Sequence, residues 1–251
     1  MSNSAPDEGL PLPPGPELSS PFLSRKDGAA ELYLIRHADA VPNLEDVVAG
    51  GSYDDQPLSH KGRRQALALV ERLKSLDFSV MYASPLRRTQ ETAAPLAEAL
   101  KLTLKIEADL REVEFAQPLG LDDPGADKMA TLLALRARLE SVVRTAASTG
   151  RWDVVPGAEP GDKFRQRVVQ IVDKIAGRHP GERVAIFAHG GVVNVYMAAL
   201  LGLQKDYFYP IYNTSINVAR VHPTIEATSR LLLSLNDVAH LMSEPGLLTE
   251  R

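Results

Sequence analysis

The sequence predicts an α/β fold: a three-layer α/β/α sandwich with a mainly parallel sheet and a helical cap insertion. Short apolar runs of strand length alternate along the chain with longer segments whose apolar residues recur at helical spacing. This alternation is typical of a sheet whose two faces are covered by helices. The chain has 251 residues, of which 44% are hydrophobic and 24% charged. Such a chain is long enough to form one large hydrophobic core.

The predicted strands are short apolar runs bounded by charged or turn-forming residues. The first, residues 31–36, ends at charge, as expected of a buried parallel strand. The others occupy residues 79–83, residues 102–108, the run from Arg183 to the Gly190-Gly191 pair, residues 215–221 and residues 230–235.

The predicted helices have apolar residues three and four positions apart. Ser59 is a suitable N-cap for the first helix. Ser84-Pro85 predicts the start of the second, because proline at the first helical position loses no hydrogen bond. In the third helix the apolar stripe consists of residues 129, 132, 133, 135 and 139. The helices are expected at 60–76, 85–100, 128–148, 162–178 and from the Gly190-Gly191 pair to Leu201.

The ends of the chain differ from its middle. Six of the 18 prolines lie in residues 1–21, so residues 1–28 are expected to form a disordered Pro-rich tail. We assign the folded domain to residues 29–236 and a C-terminal tail to residues 237–251. Within the domain, residues 116–160 are predicted to form a helical cap that covers the functional site.

The composition excludes several classes of protein. The formal net charge of −4 gives no electrostatic basis for binding nucleic acid or an anionic membrane surface. The absence of cysteine rules out disulfides, thiol nucleophiles and cysteine-ligated metal sites. No apolar run reaches the roughly 18 residues that span a bilayer, and the N-terminus lacks the features of a signal peptide. A cytoplasmic location is therefore expected.

Residues suited to phosphate chemistry follow three of the predicted strands. Arg36-His37 ends the first, Arg88 lies shortly after the second, and His189-Gly190 ends the fourth. Ligands of α/β sheets bind at the carboxyl ends of the strands, so these residues are expected to converge. Arginine pairs with phosphate oxygens through two hydrogen bonds, a neutral imidazole can attack phosphorus, and backbone N–H groups after Gly190 can bind oxygens. This chemistry requires no metal.

Five segments that carry these residues resemble, in the same order, segments of the histidine phosphatase superfamily in its phosphoglycerate mutase-like branch. The resemblance extends from about residue 31 to residue 235. It rests on LYLIRHADAVPN, DDQPLSHKGRRQA, YASPLRRTQETA, LREVEF and VAIFAHGGVVN.

Carried over by position, the resemblance assigns a role to each residue of the phosphate site. It implies that His37 is the nucleophile and becomes phosphohistidine. Arg36, Arg88 and His189 would bind the phosphoryl oxygens, and Asn43 would lie on the substrate side.

The proton donor implied by the resemblance is Glu112, two residues after Leu110, with Glu114 as the alternative. Glu112 would protonate the leaving oxygen when His37 attacks phosphorus, and would act as the base when water attacks the phosphohistidine. The implied activity is that of a phosphomonoesterase acting on a small phosphate ester without a cofactor or metal. Members of the family are monomers, dimers or tetramers, and a homodimer is kept as an expectation.

Two departures from the family pattern concern the reaction. Ala38 replaces the glycine that usually follows the nucleophile, and it would be strained if that position required positive φ. The segment Val113-Glu114-Phe115-Ala116 lacks the Arg-His-Tyr-Gly of the mutases, and Asn43 follows Pro42 rather than tryptophan. The differences in residues 113–116 and before Asn43 favour a phosphatase. The alternatives are phosphoglycerate mutase-type phosphoryl transfer and a catalytically inactive phosphate-binding scaffold, which Ala38 would indicate.

Several other residues are expected to serve structure rather than chemistry. Phe115 and Trp152 are candidates for the wall of the site, although core packing explains both. Glu159 resembles a loosely kept glutamate of the family, and a charge at a helix entry explains it equally well. Residues 213–215 resemble a family segment near the pocket, although hydrogen bonding at the start of a strand explains them better. The residues expected at the surface are Arg87, His60, His179, His222 and His240.

Overall fold

The structure is a computed structural model, and it describes residues 25–48, 54–115, 127–223, 228–244 and 246–248. Most of the predicted Pro-rich tail (1–28) and the first part of the predicted cap therefore lie outside the described residues. The last residues of that tail pack on the domain, since Arg25 Nε donates to the Gly181 carbonyl at 3.1 Å.

Within the described residues the chain forms six strands and five α-helices. In chain order they are β1 (Ala30–Arg36), α1 (His60–Leu73), β2 (Val80–Ala83), α2 (Arg87–Leu100), β3 (Leu104–Ile106), α3 (Lys128–Thr149), α4 (Gly161–Arg178), β4 (Arg183–Ala188), α5 (Gly190–Leu200), β5 (Ile216–Pro223) and β6 (Thr228–Asp237). None of these described helices is long and apolar enough to cross a membrane.

The strands form one sheet in the order β3-β2-β4-β1-β5-β6. The first four strands of this order are parallel to one another, whereas β5 is antiparallel to β1 and β6 is antiparallel to β5. The prediction of a mainly parallel sheet is confirmed. Because β4 lies between β2 and β1, the carboxyl ends of these three strands are adjacent.

Helices cover both faces of the sheet, because the central strands present apolar side chains on both faces. On one face, Leu32 and Leu34 of β1 pack with residues of α4 and α5. On the other, Ile35 of β1 and Phe187 of β4 pack with residues of α1 and α2. The three-layer α/β/α sandwich is confirmed.

The start of α1 agrees with the sequence prediction, but the start of α2 does not. Ser59 Oγ accepts a hydrogen bond from the Gly62 N–H at 3.0 Å and so caps α1. The predicted start of α2 at Ser84-Pro85 is wrong, since the helix begins at Arg87. Ser84 Oγ accepts a hydrogen bond from the Leu86 N–H at 3.3 Å and also lies 2.8 Å from Nε2 of His189, a residue far away in sequence. The third strand is also shorter than the predicted 102–108.

The apolar stripe predicted for α3 is only partly correct. Leu132 and Leu135 are buried, but Met129 and Leu133 are 49% and 56% exposed. The helix mainly contacts the short helical turn Leu44–Asp46 instead of lying flat on the sheet. A helix in that position buries a narrower face than α1 does. Apolar spacing alone therefore overestimates how many residues of α3 are buried.

The segment predicted as a C-terminal tail, residues 237–251, packs on the domain in its described part. Leu241 and Leu247 are buried together with Val238. Gln65 of α1 donates its Nε2 to the Leu247 carbonyl at 2.9 Å. Apolar side chains at these positions cover α1, so the segment is a part of the folded core.

Candidate active site

The site lies where β1, β4 and β2 end side by side. The pairing of β1 with β4 continues past the strands, since the His37 N–H donates to the Ala188 carbonyl at 2.9 Å. On the other side of β4, the Ser84 N–H donates to the Phe187 carbonyl at 3.0 Å. His37, Ser84 and His189 are therefore the residues next to one another at the carboxyl edge of the sheet, as the rule for α/β sheets predicts.

Hydrogen bonds determine which nitrogen of His37 can act as a nucleophile. The His37 Nδ1 lies 2.7 Å from the carbonyl oxygen of Ala38. A carbonyl oxygen only accepts hydrogen bonds, so Nδ1 carries a proton, and in the neutral ring the lone pair is on Nε2. The backbone of the same residue is held from a distant loop, since Asn213 Nδ2 donates to the His37 carbonyl at 3.0 Å.

His189 is fully buried at the N-cap of α5, with its ring centroid 5.3 Å from that of His37. Its Nε2 lies 2.8 Å from Ser84 Oγ, whereas no described residue forms a hydrogen bond with its Nδ1. Burial, reinforced by the nearby charge of Arg88, holds the pKa of His189 well below its ordinary value. The ring is therefore neutral near pH 7 and does not add a further positive charge to the site.

Two arginines supply the positive charge. Arg36 donates to the Ile211 carbonyl through Nη1, and Arg88 donates to the Asp54 carbonyl at 2.8 Å. Burial lowers the pKa of Arg88, while the charge of Glu112 acts in the opposite direction. Arginine keeps its proton under all ordinary conditions, so both guanidinium groups are suited to phosphate oxygens.

Glu112 reaches the same site from the segment that follows β3. Its two carboxylate oxygens accept hydrogen bonds from the backbone N–H groups of Val113 and Gly191, each at 3.0 Å. Gly191 must be glycine for this contact, because a Cβ at that position would overlap Glu112 Oε1. The alternative donor Glu114 is 64% exposed in its side chain and pairs with Arg111, away from the site.

Arg167 of α4 holds the backbone around Glu112. Its guanidinium donates to the carbonyl oxygens of Asp109, Arg111 and Glu112 at 2.8–3.0 Å. It also forms a two-point ion pair with Glu159, with N–O distances of 2.9 and 2.7 Å. Glu159 is thus the ion-pair partner of the residue that fixes the Glu112 segment. This role is more specific than a charge at a helix entry.

One cavity of about 180 Å³ joins most of the predicted residues. His37, Arg36, Arg88 and Glu112 supply its polar lining. We call a set of its apolar lining residues the apolar wall, which consists of Phe115, Leu139, Val142, Val143 and Trp152.

The apolar wall belongs to the predicted cap region and the residue just before it. Leu139, Val142 and Val143 lie three and four residues apart on one face of α3. Trp152 is also packed edge-on against Tyr207, with ring centroids 5.6 Å apart. Phe115 and Trp152 therefore combine the two uses considered from the sequence, since both line the cavity and both pack with the core.

Asn43 and Gly190 are placed less directly in the site. Asn43 donates to Asp46 Oδ2 at 2.7 Å and accepts from the His60 N–H at 3.3 Å. Its side chain lines a neighbouring groove and not the cavity that contains His37. Gly190 is the first residue of α5 and lies beside Arg36, where a Cβ would make only an ordinary contact. The roles predicted for both residues stay predictions.

Ala38 is unstrained. It is absent from the described residues that have positive φ, so a side chain costs nothing in backbone conformation there. Its N–H donates to Thr92 Oγ1 at 2.9 Å, and its methyl group is buried with Leu58 and Ala66. The methyl group does not line the cavity. The argument from Ala38 for an inactive scaffold is therefore removed.

The other four histidines lie outside the site, but two of them are not surface residues. His60 is exposed, as predicted. His179 hydrogen-bonds Tyr82 and Glu182, and its side chain is 12% exposed. His240 is buried against Thr214, with Nε2 3.1 Å from Oγ1. The surface prediction was wrong for both, because neighbouring turns do not reveal long-range packing.

Ser84, Asn213 and Arg167 contact the site and were not predicted to do so. Ser84 could have been found, since it follows β2 as His37 follows β1. Arg167 reaches the site from α4, and Asn213 reaches it from the loop before β5. The described residues contain no cluster of three or more His, Cys, Asp or Glu side chains that could hold a metal ion.

The chain is similar to known proteins over most of its length. The family model of the histidine phosphatase superfamily (branch 1) matches residues 32–231. Phosphoglycerate mutase-like protein 4 of Arabidopsis thaliana is 32% identical over 232 residues, which cover 91% of this chain and 94% of that protein. The metal-independent phosphoserine phosphatase of the same organism is 29% identical over 216 residues, 85% and 84% of the two chains.

A solved structure shows the same relationship. The native structure of a mycobacterial glucosyl-3-phosphoglycerate phosphatase has a TM-score of 0.62 and 25% identity, and covers 83% of this chain and 99% of its own. The family match spans far more than half of the chain. The chain therefore belongs to the histidine phosphatase superfamily, in its phosphoglycerate mutase-like branch.

Proposed function

We propose that this protein is a phosphomonoesterase that hydrolyses a small phosphorylated metabolite through a phosphohistidine on His37. The observation that carries the proposal is the hydrogen bond from His37 Nδ1 to the Ala38 carbonyl. It leaves the lone pair of the neutral ring on Nε2. That ring lines the same cavity as Arg36, Arg88 and Glu112.

In the first step, His37 Nε2 attacks phosphorus while the bond from phosphorus to the ester oxygen breaks. The leaving oxygen takes the proton of the Glu112 carboxyl group, so an alcohol departs. Arg36 and Arg88 hold the phosphoryl oxygens as their negative charge redistributes. The ring gains a positive charge when Nε2 bonds to phosphorus, and the Ala38 carbonyl stabilises that charge through Nδ1–H.

In the second step, water attacks the phosphohistidine and the bond from phosphorus to Nε2 breaks. The Glu112 carboxylate takes a proton from the water, which restores the acid for the next turnover. Inorganic phosphate is the product, and His37 returns to its neutral form. No step in this scheme uses a metal ion.

His189 lies beside His37 but is not among the described residues that line the cavity, so its support of the phosphoryl group is inferred from that position and from its neutral ring. Its low pKa keeps it uncharged before substrate binds, and Ser84 fixes its ring plane. A neutral imidazole can donate one N–H to a phosphoryl oxygen without adding to the repulsion among Arg36, Arg88 and the charged phosphohistidine ring.

The test is hydrolysis of p-nitrophenyl phosphate in the presence of EDTA. Wild-type protein is expected to release phosphate, and His37→Ala is expected to release none. His60→Ala is the matched control, because His60 is an exposed histidine outside the cavity. Full activity in His37→Ala would exclude His37 as the nucleophile. Loss of activity in EDTA would exclude a metal-independent reaction.

A mutase is the second candidate, favoured by the relative that carries the name phosphoglycerate mutase-like protein 4. A mutase must return the phosphoryl group to the bound substrate before water reaches it. Incubation with 3-phosphoglycerate separates the two activities. A phosphatase releases inorganic phosphate, whereas a mutase moves the phosphoryl group between glycerate positions without net release.

A further inference from the structure

We propose that the alcohol part of the substrate is small, uncharged and apolar, such as a short alkyl chain or one aromatic ring. This inference rests on the proposed function and adds the substrate class to it. It follows from the chemistry of the apolar wall, from the location of the charges and from the size of the cavity.

The apolar wall lines the same cavity as the phosphoryl-binding residues. It is built by one face of α3 together with the aromatic side chains of Phe115 and Trp152. Apolar surface of this kind stabilises a ligand by removing its hydrocarbon from water. A carboxylate or ammonium group placed there would lose its hydration without gaining an ion-pair partner.

The charged side chains that line the cavity, among the described residues, are Arg36, Arg88, Asp54 and Glu112, and none of them belongs to the apolar wall. Arg36 and Arg88 are committed to the phosphoryl group. A substrate carboxylate would therefore meet the Asp54 carboxylate, the protonated Glu112 and the apolar wall, none of which can form an ion pair with it. Substrates such as phosphoserine and phosphoglycerate carry that carboxylate, so the cavity disfavours them.

The volume of the cavity suits a small leaving group. A protein cavity of about 150 Å³ with apolar lining is large enough to enclose benzene. The cavity here is about 180 Å³ and must also accept the phosphoryl group. A few methylene groups or a single ring fit the remaining space.

The experiment compares three-carbon phosphate esters of primary alcohols that differ in charge. The value of kcat/KM is measured for n-propyl phosphate, O-phosphoserine and 3-phosphoglycerate, with p-nitrophenyl phosphate as the test of phosphatase activity itself. We expect n-propyl phosphate to exceed both charged esters at least about tenfold, the scale on which hydrophobic sites discriminate small groups.

Two variants on α3 provide a matched pair. Val143 and Leu133 are 45% and 56% exposed on the same helix, so both positions tolerate arginine, but only Val143 lines the cavity. We expect Val143→Arg to reduce the preference for n-propyl phosphate over 3-phosphoglycerate about tenfold or more. Leu133→Arg is expected to leave that preference as in the wild type.

The outcomes separate this inference from the proposed function. Activity on p-nitrophenyl phosphate with equal or better turnover of a charged ester overturns the substrate class alone. The inference is also overturned if Val143→Arg and Leu133→Arg change the preference for n-propyl phosphate over 3-phosphoglycerate equally. In that case the wall does not contact the ester. A wild-type protein that hydrolyses none of the four esters overturns the proposed function, and this inference with it.

Discussion

The hydrogen bond between His37 Nδ1 and the Ala38 carbonyl is the smallest feature on which the proposed chemistry depends. It selects Nε2 as the attacking atom. The sequence contains the residue but not this choice, because the bond depends on the backbone direction after β1. Ala38 supplies a carbonyl as well as glycine would, so its methyl group has no bearing on this contact.

The choice between Glu112 and Glu114 is also made at single residues. Glu112→Gln cannot deliver or receive the proton, so kcat for an alkyl phosphate is expected to fall about 10²- to 10⁴-fold. The loss should be smaller for p-nitrophenyl phosphate, whose leaving group needs no protonation. Steady-state kinetics with both esters measures this difference.

Glu114→Gln is the control for that experiment. Its side chain is exposed and paired with Arg111, so kcat is expected to stay near the wild-type value. A large loss in Glu114→Gln, with Glu112→Gln fully active, would exchange the roles of the two glutamates.

At the level of elements, the segment 109–112 depends on α4 for its position. Arg167 reaches across to three carbonyl groups of that segment, so Arg167→Met is expected to lower kcat by displacing Glu112. Arg167→Lys keeps the charge but not the several-point geometry, and should recover only part of the activity. Measurements of kcat across pH, below the unfolding temperature of each variant, check this expectation.

Arg165→Met distinguishes positioning from general destabilisation. Arg165 lies on the same helix and pairs with the buried Asp206, away from the cavity. Arg165→Met removes the partner of the buried Asp206 and Arg167→Met removes the partner of Glu159, so both variants are expected to be less stable. Only Arg167→Met should change kcat; equal changes in both would show that Arg167 has no specific effect on Glu112.

The sequence predicted elements well where their reasons are local. Apolar spacing located α1, and Ser59 identified its first turn. It failed at the start of α2, which begins at Arg87 and not at Ser84-Pro85. It failed again for Met129 and Leu133 of α3, because spacing shows which residues share a face but not how much of that face is covered.

For the whole molecule, the pH dependence of stability includes a buried histidine that does not line the cavity. Burial lowers the pKa of His240 to about 4. Between that value and its ordinary pKa of about 6.5, the unfolded chain binds a proton that the folded chain does not. Stability is therefore expected to fall as pH decreases from 6.5 toward 4, by about 2 kcal/mol between pH 7 and 5 from this residue.

Urea unfolding at several pH values measures this effect. His240→Gln keeps a side chain that can hydrogen-bond Thr214 but does not titrate, so its free energy of unfolding should fall less between pH 7 and 5. His189 contributes with the same sign in both proteins, since its pKa is also lowered. Identical pH dependence in the two proteins would contradict the account of His240.

The candidate site shows what sequence can and cannot supply at this scale. The strand ends predicted the convergence of His37 and His189, which are 152 positions apart, because parallel strands end at one edge. Residues that approach that edge from other layers, such as Asn213 and Arg167, have no local signal. Their contribution appears only when the sheet and α4 are assembled.

The most direct test of the account is the detection of phosphohistidine. Wild-type protein is mixed with p-nitrophenyl phosphate, quenched in alkali to preserve the bond from phosphorus to nitrogen, digested and examined by mass spectrometry. The account predicts one phosphoryl group on the peptide that contains His37, bonded to Nε2, and none in His37→Ala. A phosphoryl group on a different residue, or turnover of the ester by His37→Ala at the wild-type rate, would contradict it.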